Sequence, residues 1–324
     1  FGIDWLGALM WGLVLLCILF VCVYGEHYDW YQSFQIRAAT VIGILILALN
    51  LWRASFIRHP FIALKTWTYR AVWFPFILYI VIDILLAPSH LFEHIYMESI
   101  LEYDALNVIS LNWAVLLGII VGAGFTFFPF FRRKWRYKTM TVIAFSSITG
   151  YLMYFYFGID YALPKETLFV PLFLRSFGYV IIAICFLTVL SRVPFQHFFQ
   201  AVSVQSFVSA GFGGALGTAI LGHALNGAMK KNSMLLGSVV DHVNPFISRI
   251  PVGEVYGAVQ QQALMVSMKE LYGWLTLMAL FCLLAFLVYE SDIRPYKVLH
   301  PTYRSIRRFV KHELRIDKKL EATA

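Results

Sequence analysis

Two charged residues sit where charge is most costly. Asp83 lies inside an apolar run, among Ile80, Val81, Ile82 and Ile84, and Arg175 lies inside another, Pro171-Leu-Phe-Leu-Arg175-Ser-Phe-Gly178. An ionisable side chain in hydrocarbon needs a partner or a water-filled cavity. Opposite signs at similar depth permit two arrangements. One is a direct salt bridge that fixes helix register. The other is a shared cavity in which Asp83 takes up a proton or cation and Arg175 contacts substrate or tunes the acid. Asn107, Asn112, Gln205 and His223 are further polar residues in apolar runs. Interhelical hydrogen bonds are the first reading for each. Asn112 and Gln205 are also candidate cavity contacts beside Asp83 and Arg175.

Other chemistry is sparsely supported. His90 and His94 lie one helical turn apart with Glu93 between them, and an i,i+4 histidine pair can bind a metal. No third ligand stands nearby, so a membrane-embedded transferase is the second reading for the chain. HExxH, P-loop, GxSxG and paired-carboxylate patterns are absent from the apolar runs, and no cofactor motif is present. Cys17, Cys22, Cys185 and Cys282 all fall in apolar runs without metal-site spacing, which suits packing rather than disulfides. Tyr151, Tyr154 and Tyr156 either pack or line a pocket for aromatic or cationic ligands.

These residues must be positioned by membrane-spanning helices. Hydrophobic residues make up 60% of the chain, 14% are charged, and mean hydropathy is +0.71, which points to an all-α polytopic membrane protein. A span needs about 20 apolar residues. Eight are expected: Trp5–Tyr24, Ile36–Trp52, Ala71–Phe92, Ala105–Phe128, Thr139–Gly158, Leu168–Leu190, Val202–Leu225 and Leu271–Tyr289.

Loop charge orients them. Glu26 and Asp29 mark the first loop, and Glu93, Glu98, Glu102 and Asp104 the third. Arg53, Arg58, Lys65 and Arg70 mark the second, and Arg132, Arg133, Lys134, Arg136 and Lys138 the fourth. Basic loops stay in the cytoplasm, so both termini are expected there. The seventh loop, Asn226–Glu270, is expected to be long and external. The net charge of +8 is accounted for by cytoplasmic loops and the tail, and nucleic-acid binding is not implied. Within the tail, Ile306, Val310 and Leu314 recur at helical spacing among basic residues. That pattern suits either a helix along an anionic leaflet or a solvated basic tail. The chain opens with Phe1 almost directly into a span, as a piece of a longer reading frame would.

Span seven carries Ala210-Gly211-Phe-Gly213-Gly214-Ala-Leu-Gly217. Small residues four apart, as in Gly213 and Gly217 or Ala210 and Gly214, admit a second helix closely. Static packing and a helix that bends during a cycle are both open.

Taken in order, these stretches resemble fourteen-span drug:proton antiporters of the EmrB/QacA-like branch of the major facilitator superfamily. Ile3-Asp4-Trp5-Leu6-Gly7 followed by Tyr28-Asp29-Trp30 is similar to the opening of that family's seventh helix. Arg175-Ser-Phe-Gly178, Leu190-Ser191-Arg192-Val-Pro194, Gln205-Ser-Phe and Gly213-Gly214-Ala-Leu-Gly217 resemble its later motifs. Val243-Asn244-Pro245, Gln260-Gln261-Gln262-Ala263 and the basic Arg132-Arg133-Lys134 loop add to the likeness. Ser176 stands where the family usually has Gly, and the acidic third loop is unusual.

The resemblance implies that the chain matches helices seven to fourteen. Residues 1–68 would hold two extra helices and a linker, 69–291 a six-helix bundle built as an inverted repeat, and 292–324 a cytoplasmic tail. Asp83 and Arg175 would then fall on cavity-lining helices. The implied activity is proton-coupled export of lipophilic or cationic compounds from the inner membrane by alternating access. The implied partners are the bilayer, protons, a small-molecule substrate and a missing N-terminal six-helix half, with room for a periplasmic adaptor protein. A non-transporting half-transporter scaffold is the remaining alternative.

Overall fold

A long apolar run in a bilayer has no water to hydrogen-bond its backbone, so it must close its bonds internally as a helix. The computed structural model describes residues 4–57, 60–128, 135–191, 193–240 and 251–288, and every regular element among them is helical. Among the described residues, eight stretches are long and apolar enough to cross a membrane: Trp5–Tyr24, Phe34–Phe56, Pro75–Ile100, Ala105–Phe128, Tyr137–Gly158, Lys165–Leu190, His197–Ser238 and Val252–Val288. The helices are α1 (Trp5–Tyr24), α2 (Phe34–Phe56), α3 (Arg70–Leu86), α4 (Phe92–Ile95), α5 (Ala105–Phe128), α6 (Tyr137–Gly158), α7 (Phe169–Leu190), α8 (Phe195–Ser206), α9 (Gly214–Val239) and α10 (Val252–Val288).

Three expected boundaries are corrected. The third span does not stop at Phe92. Pro88 lacks an N–H, and the chain passes through a 3-10 turn at Ala87–Ser89, then α4, then a π-helical turn at Tyr96–Ile100. Glu93 and Glu98 therefore belong to the span rather than to a loop. The seventh span is interrupted by π-helical turns at Phe207–Gly213 and continues as α9 to Val239. The expected loop Asn226–Glu270 is thus largely helix, because Ala228-Met-Lys-Lys231 and Gln260–Glu270 are rich in helix formers. At 1.5 Å per residue, the 37 residues of α10 extend about 55 Å, well beyond a hydrocarbon core of about 30 Å.

The main core is built from α3 to α7, α9 and α10, with Phe92, Tyr96, Phe145, Ile148, Tyr151, Phe155, Ile181 and Tyr272 almost fully enclosed. Helices α1 and α2 pack on each other, and α1 leans on α9 and the π-helical turns. Only 11% and 17% of their apolar windows are buried, so the pair sits at the periphery with Leu9, Leu16, Ile44 and Leu45 outward. Asp4 anchors this pair. Its carboxylate caps α1 by accepting from Gly7 N at 2.9 Å, accepts from Arg53 at 2.7 and 3.1 Å, and accepts from Phe61 N at 3.1 Å. The following linker is held in turn by Gln200 of α8. Its amide donates to the Pro60 carbonyl at 3.2 Å and accepts from Thr66 Oγ1 at 2.8 Å.

Candidate functional site

A cavity of about 270 Å³ opens between α3, α5, α7, the π-helical turns and α9. Asp83, His90, Arg175, Ser176, Tyr179 and Ser209 supply its polar wall. Asp83 is 8% exposed, and its Oδ2 is buried with no hydrogen-bond partner. A lone carboxylate oxygen in such a place carries a large desolvation cost that a proton or a cation would relieve.

Arg175 does not pair with Asp83. Its Nη1 donates to Glu93 Oε2 at 2.8 Å, and the Tyr151 hydroxyl donates to Glu93 Oε1 at 2.7 Å. Glu93 is 5% exposed and Tyr151 0%. Of the two arrangements open from sequence, the direct Asp83–Arg175 bridge is therefore replaced by a shared cavity wall. The reason is the position of Glu93. It lies beyond the 3-10 turn, on α4, where it comes within 2.8 Å of Arg175 on α7. Both oxygens of Glu93 thus receive donors, as a buried charged pair requires. The cluster joins α4, α6 and α7. Phe155, one turn beyond Tyr151, stacks on Tyr272 of α10 at 5.1 Å.

Gln205 behaves as an interhelical tie. Its Nε2 donates to Tyr79 Oη at 2.7 Å, joining α8 to α3, while its Oε1 is buried without a partner. Asn112 is not brought to the cavity. It is exposed on the side of α5 that carries the wall residues Val115 and Ile119, one turn before the first of them, and is not itself part of the wall. Asn107 accepts from Lys165 Nζ at 3.1 Å.

The glycines of span seven divide by face. A Cβ on Gly217 would meet Ala87 Cβ at 2.8 Å and the Asp83 carbonyl at 2.9 Å, so α9 crosses α3 at backbone contact. Gly213 lies against the Asp83 side chain itself. Gly214 faces the cavity, with nothing within 4 Å of an added Cβ, and Gly211 falls within the π-helical turns. Arg132, Arg133 and Lys134, Val243-Asn244-Pro245, Arg192 and the tail lie outside the described residues.

The histidine pair of the transferase reading separates. His90 reaches the cavity, whereas His94 Nε2 lies 3.1 Å from Glu98 Oε1 on an exposed surface. Among the described residues no group of three His, Cys, Asp or Glu side chains could hold a metal. All four cysteines are free.

A second polar cluster was not foreseen as a unit. Glu26, in the first loop, accepts from Trp30 Nε1 at 2.8 Å and Asn226 Nδ2 at 3.1 Å, and lies 2.9 Å from His223 Nδ1. It links the α1–α2 connection to α9. Asp29 and Trp30, with φ of 52° and 53°, take left-handed backbone to bring the indole there.

Glu93 and Tyr151 are the site residues that sequence reasoning missed as partners. The available signal was the unpaired Arg175, which needed an acid at its own depth.

No protein-family model matches the chain, and no curated protein matches it. Eight helices long and apolar enough to cross a membrane among the described residues, four of them framing a polar cavity, define a multi-pass membrane protein.

Proposed function

We propose that the chain is part of a secondary active transporter, exporting lipophilic or cationic compounds by proton antiport through alternating access. The observation that carries this reading is Asp83: a buried carboxylate with an unpaired oxygen, on the wall of a cavity bounded by several helices. Such a group can hold a proton or a cation but not both, and competition between the two is the elementary step of antiport. When protonated, Asp83 is neutral and lets its helices pack as in an apolar core. When ionised, it demands a cationic ligand or water. The two states thus favour different arrangements of α3 against α9.

Three features support a moving α9. Backbone contact at Gly217 brings α9 directly onto α3, and at Gly213 the only α3 group in the way is the Asp83 side chain itself. The π-helical turns at Phe207–Gly213 put a break in the helical hydrogen-bond pattern at that contact. Helices α3, α5, α7 and α9 frame one side of the cavity, as half of an alternating-access transporter of the major facilitator type would. In this reading α1 and α2 are the two extra helices, and an N-terminal six-helix half completes the cavity. The basic loops support a cytoplasmic side for both termini. The membrane would be the inner membrane, with the projecting α9–α10 hairpin outside, where an adaptor protein could dock.

The test is uptake of a fluorescent lipophilic cation into inverted membrane vesicles carrying the full-length protein. Uptake driven by a proton gradient, and abolished in Asp83→Asn, is the expected result. Uptake that is indifferent to the gradient, or unchanged in Asp83→Asn, overturns it.

A further inference from the structure

Three groups that are charged when ionised belong to this cavity and its backing: Asp83 and Arg175 line it, and Glu93 pairs with Arg175. Two of them cancel. The Arg175–Glu93 pair is held at 2.8 Å, with side chains 17% and 7% exposed, and the Tyr151 hydroxyl closes the remaining Glu93 oxygen. Asp83, when ionised, is left as the one uncompensated charge among the described residues of the wall. His90 adds charge only when protonated.

We infer that Glu93 is a specificity-determining residue: by neutralising Arg175, it leaves the cavity with a net single negative charge and so selects monovalent organic cations over anions. This rests on the transport reading above and deepens it. Glu93 acts without touching the ligand. An unpaired guanidinium on the same wall would repel a cation, attract an anion, and offer Asp83 an internal partner in place of the ligand. Any of these removes the preference for cations. Tyr179, on the wall, adds an aromatic ring that suits the same ligands.

The pair also explains why an arginine can stand in the wall of a cation site. Arg175 joins α7 to α4, and Tyr151 extends the link to α6. Breaking the pair from one side leaves a buried charge without compensation, while removing both charges together does not. Charge bookkeeping therefore separates a selectivity role from a purely structural one.

The experiment is equilibrium binding to the purified full-length protein in lipid nanodiscs at pH 8, where an ordinary imidazole is neutral. The probes are benzyltrimethylammonium, its neutral carbon isostere neopentylbenzene, and the anion toluenesulfonate. Wild type should prefer the cation to both others. Glu93→Gln should lower the cation-to-anion ratio at least tenfold. The double variant Glu93→Gln with Arg175→Gln should return the ratio to within about twofold of wild type, because its cavity charge is restored. Arg175→Gln alone should keep or raise the ratio. It also serves as the second reading if Glu93→Gln fails to fold. An unchanged ratio in Glu93→Gln, a double variant no better than the single one, or a lowered ratio in Arg175→Gln overturns the inference. If wild type binds the cation and only these variants disobey, the transport reading survives. If wild type binds none of the probes, both fall.

Discussion

Gly213 leaves no room for a Cβ beside Asp83: one built there would overlap the carboxyl group and lie 2.9 Å from Asp83 Cβ. The two residues come from spans three and seven. Their contact means that the position of the buried carboxylate and the position of α9 are a single variable. Whatever moves one must move the other.

Gly213→Ala should therefore displace Asp83 or push α9 off α3. Overpacking of this kind costs about 1–3 kcal/mol. Thermal unfolding in nanodiscs should show a lower midpoint, and binding of benzyltrimethylammonium should weaken. Gly214→Ala and Gly227→Ala, in α9 with nothing within 4 Å of the new methyl group, should leave the midpoint unchanged or raise it. Equal losses at all three positions would show that helix flexibility, rather than the Asp83 contact, is what the glycines provide.

Tyr151→Phe removes one donor from Glu93 while leaving the aromatic packing against Phe155 in place. Interhelical hydrogen bonds inside membranes average about 0.6 kcal/mol, and a buried bond to a charged group runs higher, about 1.5–3 kcal/mol. A loss of about 1–2 kcal/mol is expected. In the Glu93→Gln background the same change should cost less, because the acceptor is no longer charged. A double-mutant cycle on unfolding free energy reads this coupling, and strict additivity would mean that the hydroxyl contributes nothing through Glu93.

The span count was legible from the sequence, since hydrocarbon thickness dictates run length and the runs are long. Span ends were less so. Glu93 reads as a loop residue because charge ordinarily marks an interface, and only the fold shows Tyr151 and Arg175 compensating it 58 and 82 positions away. The hairpin of α9 and α10 was hidden for the opposite reason. Its outer turns are polar enough to look like loop, and their helix-forming composition carries no information on whether a partner helix lies alongside. Asp83 was found from burial cost alone, and its depth needed no partner to be read. Asn112 obeyed the same rule but could not be phased, because α5 is apolar on every face.

The Asp4 node should behave as a single electrostatic unit. Hydrogen bonds from Arg53, then from the backbone amides of Gly7 and Phe61, hold the Asp4 carboxyl below its ordinary 3.8 against the opposing effect of burial. Its contribution to folding is thus complete above about pH 4 and is lost as pH falls below that. Arg53→Gln should narrow this acid-sensitive window by returning Asp4 toward its ordinary value. Hydrogen exchange of the first turn of α1, followed from pH 5 downward, checks this: the variant should fray at higher pH than wild type. Identical profiles would assign the cap to the backbone amides alone.

Glu26 makes the corresponding joint between the α1–α2 connection and α9. Hydrogen bonding from His223 first, then Trp30 and Asn226, holds its carboxyl at about 2, below the usual 4.5. A depressed acid contributes stability above its unfolded value and loses it as pH falls through the folded one, so the joint should persist down to about pH 4.5 and weaken between there and 2. The side chain is 40% exposed, so solvent screening keeps the effect small and salt-sensitive. Paired spin labels at Tyr31 and Met234, both exposed, would report the separation of the two units. The distance should lengthen over that acid range in wild type. In Glu26→Gln it should be longer already at pH 5 and no longer respond to acid. A distance that is constant in both proteins would mean that the packing of α1 on α9, rather than Glu26, holds the peripheral pair in place.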